Sequence, residues 1–235
     1  MTLLIQPENS VRAEAGTDHA ILYESSAPSP LTLPKNTWGG PRNSASRTSD
    51  YINCLKAIEL IEAAQRALAI GRPFNRHLTV HWAKANLTDA EAAAATGRMI
   101  KLIRDWARKH GGEVAYAWVR ENGPDKGSHS HILLHIPDGL SLGFTRRWYR
   151  LAAGWKGTVP KHAVNSVCIG GTALAGLSGS EWYIANLAKL LAYLLKGTGE
   201  PTGRALGLAE YGEGGAIVGK RIAIGQNLRG VASDS

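Results

Sequence analysis

The chain contains only two cysteines, Cys54 and Cys168, among its 235 residues. Two cysteines cannot build a disulfide framework or a four-cysteine zinc site, and so low a content favours a reducing compartment. The sequence also lacks an apolar run of the roughly 20 residues that a membrane helix needs. Its first residues, MTLLIQPENS, lack the basic stretch of a signal peptide. We therefore expect a cytoplasmic protein without a membrane partner.

Positive charge is in excess, and it is unevenly distributed. The chain has 27 Lys and Arg residues against 19 Asp and Glu residues, which gives a net charge of +8. Residues 1–50 hold 4 basic and 5 acidic side chains, so residues 51–235 carry a net charge of +9. A folded region this basic predicts a polyanionic partner, with nucleic acid as the first candidate. Ordinary surface charge that serves solubility is the alternative.

The chain divides into a polar N-terminal segment and one globular region. Residues 25–50 include 17 Ser, Thr, Pro, Gly or Asn residues out of 26. Such a stretch buries too little apolar surface to offset its chain entropy, so residues 1–48 are predicted to be mostly disordered. Residues 49–230, which are rich in apolar and helix-forming residues, are predicted to form a single domain.

Strands and helices alternate along this region, and two of the strands form a hairpin. The pattern predicts an α+β fold with a central antiparallel sheet of about five strands and flanking helices. The predicted elements are a helix over 51–70 capped by Thr48, Ser49 or Asp50, a strand over 76–83, a helix from the Thr88–Glu91 capping box to Gly111, strands over 113–122 and 128–137, a helix over 144–155, a strand over 164–169, a helix over 181–196 and a strand over 220–224.

The register of the predicted hairpin separates two kinds of side chain. If residues 123–127 form the loop, the residue numbers of any two partners across the hairpin add up to 250. One face then pairs apolar residues, such as Trp118 with Ile132, as the core side of a sheet does. The opposite face places Glu121 directly across from His129, with Cβ atoms about 5 Å apart.

The second face carries a candidate metal site. His131 points the same way as His129, because side chains alternate along a strand, and Glu121 faces them both. Two imidazoles and one carboxylate, without a thiolate, suit Mn²⁺ or Mg²⁺, and Zn²⁺ is a further option. The alternative is a polar strand face with exposed histidines. His77, Thr79 and His81 lie on one side of the strand over 76–83, and they join this face if that strand neighbours the hairpin.

The helix over 181–196 has a polar stripe with a tyrosine at its end. At 100° per residue, Asn186, Lys189, Tyr193 and Lys196 fall within an arc of 80°, and leucines gather on the opposite side. A phenol with its free pKa near 10 needs a nearby positive charge or a proton acceptor to act as a nucleophile. Lys196, one turn after Tyr193, can supply that charge. The alternative is a tyrosine at the helix edge beside a surface lysine.

Three motifs follow one another along the chain: the strand RHLTVHW, the H-x-H of SHSHILL and the Y-x-x-K of AYLLKGT. Together, in this order, they resemble the HUH endonuclease superfamily. The chain is most similar to single-tyrosine rolling-circle replication initiator (Rep) proteins of bacterial plasmids and single-stranded DNA phages, over about residues 74–228. The resemblance implies an HUH/Rep nuclease fold with an RRM- or ferredoxin-like topology. Two positions depart from the family pattern: Ser130 stands where a hydrophobic residue is usual, and Lys189 stands where some members have a second tyrosine.

The resemblance also implies a set of site residues and an activity. His129, His131 and Glu121 would hold Mn²⁺ or Mg²⁺, Tyr193 would be the nucleophile, and Lys196 would be its accompanying lysine. The protein would nick and rejoin single-stranded DNA through a 5′-phosphotyrosine intermediate in the cytoplasm of a bacterial host cell. Its partners would be single-stranded DNA or an origin hairpin, together with a host helicase and a DNA polymerase.

Basic side chains outside the metal site are candidates for contacts with DNA phosphates. They are Arg146, Arg147, Arg150, Lys189, Lys220, Arg221 and Arg229. The stretch over 214–220 spells G-x-x-x-x-G-K, but Arg221 follows it where a nucleotide-binding loop has Ser or Thr. This departure excludes an ATP site there and is the reason to expect a host helicase. The alternative functions are a relaxase for plasmid mobilisation and a non-catalytic DNA-binding protein with a degenerate nuclease site.

Overall fold

The computed structural model describes residues 47–140, 142–143, 145–170, 180–212 and 214–229. Its centre is a five-stranded antiparallel sheet with the strand order β5-β2-β4-β3-β7. This sheet and its flanking helices confirm the predicted α+β fold. The strands are β1 (Thr48–Ser49), β2 (Arg76–His81), β3 (Tyr116–Gly123), β4 (Gly127–Leu134), β5 (Val164–Cys168), β6 (Ile217–Val218) and β7 (Ile222–Ile224), and the helices are α1 (Cys54–Ala69), α2 (Asp89–Lys109), α3 (Thr145–Ala153), α4 (Glu181–Leu195) and α5 (Glu200–Ala205).

Each predicted element is present, with its ends shifted by no more than three residues. Residues 1–48 are predicted to be mostly disordered, and residues 1–46 of this segment lie outside the described ranges. The bounds of the domain, 49–230, stay a prediction. Within the described ranges, no helix is both long enough and apolar enough to cross a membrane.

The start of α1 differs from the prediction. The N-cap is Asn53, whose side-chain oxygen accepts a hydrogen bond from the backbone N–H of Lys56 at 2.9 Å. Thr48 and Ser49 cannot cap the helix, because they form β1 and pair with β6 in a separate two-stranded sheet. The Thr88–Glu91 capping box that opens α2 is confirmed.

The hairpin of β3 and β4 has the predicted register. Glu121 pairs with His129, Val119 with His131 and Trp118 with Ile132. The strands continue to Gly123 and Gly127, so only the three residues between them form the turn. Gly127 has a φ of +61°, a conformation that side-chain-bearing residues rarely adopt.

Both faces of the sheet are buried, each under a pair of helices. We call the face that carries Glu121, His129 and His131 the histidine face, and the face that carries Arg120, Ser128 and Ser130 the serine face. Apolar residues of α1 and α4 cover the histidine face, and residues of α2 and α3 cover the serine face. His129 and His131 are each only 2% exposed. The alternative of exposed histidines on a polar strand face is therefore wrong, because α4 covers them.

Buried polar groups on the serine face are paired mainly with one another. The Arg120 guanidinium contacts the Asp89 carboxylate at 2.5 Å, and the Ser128 hydroxyl donates to the same carboxylate at 2.7 Å. The Trp82 indole N–H donates to the Ser130 hydroxyl at 2.8 Å. Only the Nε of Arg120 lacks a partner in this group. These contacts fix the beginning of α2 and the residue that follows β2 to the hairpin.

Candidate metal centre and nucleophile

The hairpin brings the three predicted metal ligands together. Candidate ligand atoms of Glu121, His129 and His131 all lie within 4.8 Å of one another. The His129 Nε2 is 3.4 Å from one Glu121 carboxylate oxygen, and the His131 Nε2 is 3.9 Å from the other. All three side chains are buried. The cluster follows directly from the register, because Glu121 and His129 are opposite each other and His131 is two residues along on the same face.

Two polar atoms of this cluster have no hydrogen-bond partner among the described residues. They are the Oε1 of Glu121 and the Nε2 of His131. Leaving a buried polar atom unsatisfied costs about 1–3 kcal/mol. A divalent cation bound between the two atoms would satisfy both, so the residues present fit a metal ion. The nitrogen and oxygen donors are compatible with Mn²⁺, Mg²⁺ or Zn²⁺.

Hydrogen bonds outside the cluster hold both imidazole rings. The Nδ1 of His129 lies 2.8 Å from the carbonyl oxygen of Gly127, and since a carbonyl only accepts, this nitrogen carries the proton. The Nδ1 of His131 lies 3.1 Å from the Nε2 of His77 and 3.3 Å from the hydroxyl of Thr79. In both rings Nε2 is thereby directed towards Glu121, as metal ligation requires.

The neighbouring strand β2 adds polar groups to the histidine face, as expected if it lies beside the hairpin. Thr79 pairs with His131 across the strands, and His81 pairs with His129. Burial lowers the pKa of His77 to about 4, so this ring is neutral at neutral pH and can accept a hydrogen bond. Burial also lowers the pKa of His131 well below its ordinary value. A neutral imidazole is the form that binds a metal.

Lys196 completes the cluster from the end of α4. Its Nζ lies 3.1 Å from the Oε2 of Glu121. Burial raises the pKa of the Glu121 carboxyl, but the hydrogen bond with His129 and the charge of Lys196 outweigh it, and the pKa falls below its ordinary value. Burial lowers the pKa of Lys196, but the charge and hydrogen bond of Glu121 together with the contact to Tyr193 outweigh it, and the pKa rises. Both groups are therefore charged, and the carboxylate is in the form that binds cations.

Tyr193 lies against the metal cluster, at the surface of the molecule. Its ring packs edge-on against the His131 ring, with centroids 5.4 Å apart. The Nζ of Lys196 is 4.4 Å from the centre of the Tyr193 ring. The side chain is 39% exposed, so a bound molecule can reach it. Buried residues such as Leu187 and Leu191 hold α4 on the sheet and fix this position.

The predicted DNA-contacting residues do not form one surface. Arg146, Arg147 and Arg150 are exposed on α3, which packs on the serine face, away from the cluster. Lys189 is exposed on α4, one turn before Tyr193. Lys220 and Arg229 are exposed and line a groove beside β7.

Arg221 differs from the other predicted DNA contacts because it is only 5% exposed. Its guanidinium donates to the backbone carbonyl oxygens of Ser49, Gly214 and Gly215. In this position the side chain holds the loop over 214–215 to Ser49, and it also lines the groove beside β7. A contact between Arg221 and DNA stays a prediction.

The pairing of Lys196 with Glu121 was not predicted from the sequence. The two residues belong to elements far apart in the chain, and the spacing of Tyr193 and Lys196 along the helix only indicated that they are neighbours. The link between His77 and His131 was predicted only as far as a shared face. Asp89 had no functional or structural role in the prediction beyond its place at the start of α2.

Comparisons of the chain with protein-family models, with curated proteins and with solved structures found no match. The sequence motifs and the geometry of this site are therefore what indicates a function.

Proposed function

We propose that this protein is a metal-dependent endonuclease of the HUH type that nicks and rejoins single-stranded DNA. The observation that carries the proposal is the contact between Tyr193 and His131. An accessible tyrosine packs directly on a member of a buried Glu-His-His cluster, and two atoms of that cluster lack partners. The order of the sequence motifs, which resembles that of rolling-circle replication initiators, supports the same function.

Each residue of the site has a distinct part in the proposed reaction. Glu121, His129 and His131 would hold Mn²⁺ or Mg²⁺, which when bound supplies Lewis-acid stabilisation of charge on a phosphate. Lys196, close to both Glu121 and Tyr193, provides a further positive charge beside the attacking oxygen.

The chemical step exchanges one phosphoester bond for another. The Tyr193 oxygen forms a bond to phosphorus while the bond from phosphorus to the 3′-oxygen of the preceding nucleotide breaks. The phenol loses its proton to water, and the 3′-oxygen takes one up, so that a 5′-phosphotyrosine and a free 3′-hydroxyl result. Because the bond energy is conserved in the covalent intermediate, the reverse attack by a 3′-hydroxyl rejoins the strand.

The products of this reaction suit a replication initiator of a bacterial plasmid or phage. A DNA polymerase extends a free 3′-hydroxyl, and the covalently held 5′ end is available for later rejoining. Unwinding of the duplex would fall to a host helicase. Single-stranded DNA or the exposed strand of an origin hairpin would be the substrate.

A covalent-adduct assay tests the proposal. Purified protein is incubated with Mn²⁺ and a pool of labelled single-stranded oligonucleotides, and adducts are separated on a denaturing gel. We expect an adduct with the wild type, none with Tyr193→Phe and none in excess EDTA. Tyr183→Phe is the matched control, because Tyr183 lies on the same helix with its hydroxyl bound to the Phe74 carbonyl oxygen. Mass spectrometry should place the nucleotide on Tyr193.

Different failures of this assay have different meanings. A nucleotide attached to another residue would show that the nucleophile is wrongly assigned. Adduct formation that persists in EDTA would contradict the metal dependence. DNA binding without an adduct under any condition would favour the non-catalytic DNA-binding protein.

A further inference from the structure

A groove runs along one edge of the five-stranded sheet. Its floor is β7, the edge strand, and its volume is about 990 Å³. Residues of α1 form one wall, and Ala93 and Gly97 of α2 contribute to the other. This groove is separate from the cluster of Glu121, His129 and His131, none of which lines it.

The groove combines positive charge with aromatic rings. Arg47, Lys220 and Arg229 line it and are exposed. The 54%-exposed ring of Tyr51 and the half-buried indole of Trp118 also line it.

Three further cations of the lining have partners within the protein: Arg221 donates to backbone carbonyl oxygens, and the other two form ion pairs. Lys56 pairs with Glu59 at 2.6 Å, and Arg66 pairs with Glu62 at 3.1 Å, both within α1. The remaining charge of the lining is therefore positive. A basic groove with aromatic side chains is the typical surface for single-stranded nucleic acid, whose phosphates and bases it contacts in turn.

One end of the groove meets the end of α4 that carries the site. The backbone N–H of Ile52 donates to the carbonyl oxygen of Gly197, the residue after Lys196, at 2.8 Å. The ring of Tyr51 lies against Gly199, where an added Cβ would be 3.6 Å from the ring. A single strand of DNA that leaves Tyr193 can therefore enter the groove at Tyr51 without crossing the sheet.

We propose that the groove beside β7 binds the single-stranded DNA that flanks the nick. The inference rests on the proposed function for its substrate. The phosphates would contact Arg47, Lys220 and Arg229, and Tyr51 would stack on a base near the site. The arginines of α3 lie on the serine face and are not on this path.

Binding measured without catalysis tests the inference. Fluorescence anisotropy with a labelled single-stranded oligonucleotide, in EDTA, gives the affinity of the full chain. The Lys220→Ala/Arg229→Ala variant should bind about 10-fold more weakly. Its log–log salt slope should be smaller in magnitude by about 1.4, since each phosphate contact contributes about 0.7. Tyr51→Ala should also weaken binding about 10-fold through lost stacking.

A matched control removes the same charge elsewhere. Arg104→Ala/Lys109→Ala takes two exposed basic side chains from α2, and its affinity and salt slope should stay close to those of the wild type. Arg146→Ala/Arg147→Ala tests the competing path over α3. If this variant loses affinity while the groove variants bind normally, the DNA lies on the other face and the inference is overturned.

The assay separates this inference from the proposed chemistry. Loss of affinity in the groove variants supports the groove even if no covalent adduct forms with any oligonucleotide. Normal affinity and salt slope in all the groove variants would overturn the groove assignment, whether or not Tyr193 forms an adduct.

Discussion

The histidine face and the serine face are built from alternate residues of the same two strands, yet they treat their polar groups differently. On the serine face, Arg120, Ser128 and Ser130 are bonded to partners within the protein, and the one atom of these three side chains left without a partner is a donor, the Nε of Arg120. On the histidine face, Glu121 and His131 each keep a buried atom without a partner. Glu121, His131, Arg120 and Ser130 are all buried, so burial does not explain the difference. The difference lies in the kind of atom left over: the N–H of Arg120 can only donate, whereas a carboxylate oxygen and an imidazole nitrogen could bind a cation.

The largest effect on metal binding should come from removing a candidate ligand on the histidine face. His131→Gln keeps a polar side chain of similar size but removes the imidazole, and we expect Mn²⁺ affinity to fall by more than about 100-fold, beyond the loss typical of outer contacts. Isothermal titration calorimetry measures this directly. The control is His135→Gln, because His135 directly follows β4 and its Nδ1 contacts the Pro73 carbonyl oxygen, away from the cluster. Equal losses in the two variants would contradict the assigned ligand set.

A substitution on the serine face should instead act on stability. Arg120→Met leaves the Asp89 carboxylate without its buried partner, so the free energy of unfolding should fall by about 3–5 kcal/mol. Urea unfolding followed by circular dichroism gives the value. Lys101→Met is the control, because it breaks an exposed pair with Asp105 and should change stability far less. A similar, small effect of both variants would show that the buried pair is not stabilising.

An outer contact of the histidine face should have an intermediate effect. His77→Phe keeps an aromatic ring but removes the nitrogen that lies 3.1 Å from His131, so Mn²⁺ affinity should fall about 10-fold. This is the low end of the loss expected for a group that orients a ligand, because the Thr79 hydroxyl still contacts His131. His81→Phe is the matched control, because His81 stacks on the His129 ring with centroids 5.3 Å apart and a phenylalanine ring can keep that contact. Its Mn²⁺ affinity should therefore stay close to that of the wild type. The idea fails if calorimetry shows the same Mn²⁺ affinity for His77→Phe and the wild type.

The smallest change should come from Ser130, which lies between the two histidine ligands in sequence. Ser130→Ala removes the acceptor of the Trp82 indole N–H and the contact with the Thr96 hydroxyl at 2.8 Å. Stability should fall by about 1 kcal/mol, with Mn²⁺ affinity unchanged, because the side chain belongs to the serine face. A loss of metal affinity without a loss of stability would mean that the two faces are not independent.

Much of the fold and of the metal cluster could be predicted because the signals are local. A short turn and two alternating strands define the hairpin register, and the register alone brings Glu121 opposite His129. The capping box of α2 was likewise readable from Thr88 and Glu91. The apolar stripe of α4 predicted correctly which side of that helix packs on the sheet.

Contacts between distant parts of the chain could not be predicted in the same way. The sequence gives no indication that Lys196 pairs with Glu121, because the path of the chain between them determines that contact. Arg221 was predicted as a DNA contact for its charge, and only the fold shows that backbone carbonyls surround it. The burial of the histidine face could not be predicted either, because the cover that α1 and α4 provide depends on how the helices pack.

The three candidate metal ligands all come from a single hairpin, between positions 121 and 131, whereas Tyr193 follows more than sixty residues later. Contacts between residues close in sequence form early and fast during folding, because little loop entropy is lost. The ligand cluster can therefore assemble on a chain whose helix α4 has not yet docked. During synthesis the hairpin also emerges from the ribosome before Tyr193. The order of the sequence thus separates in time the assembly of the candidate cation site from the arrival of the tyrosine that packs on it.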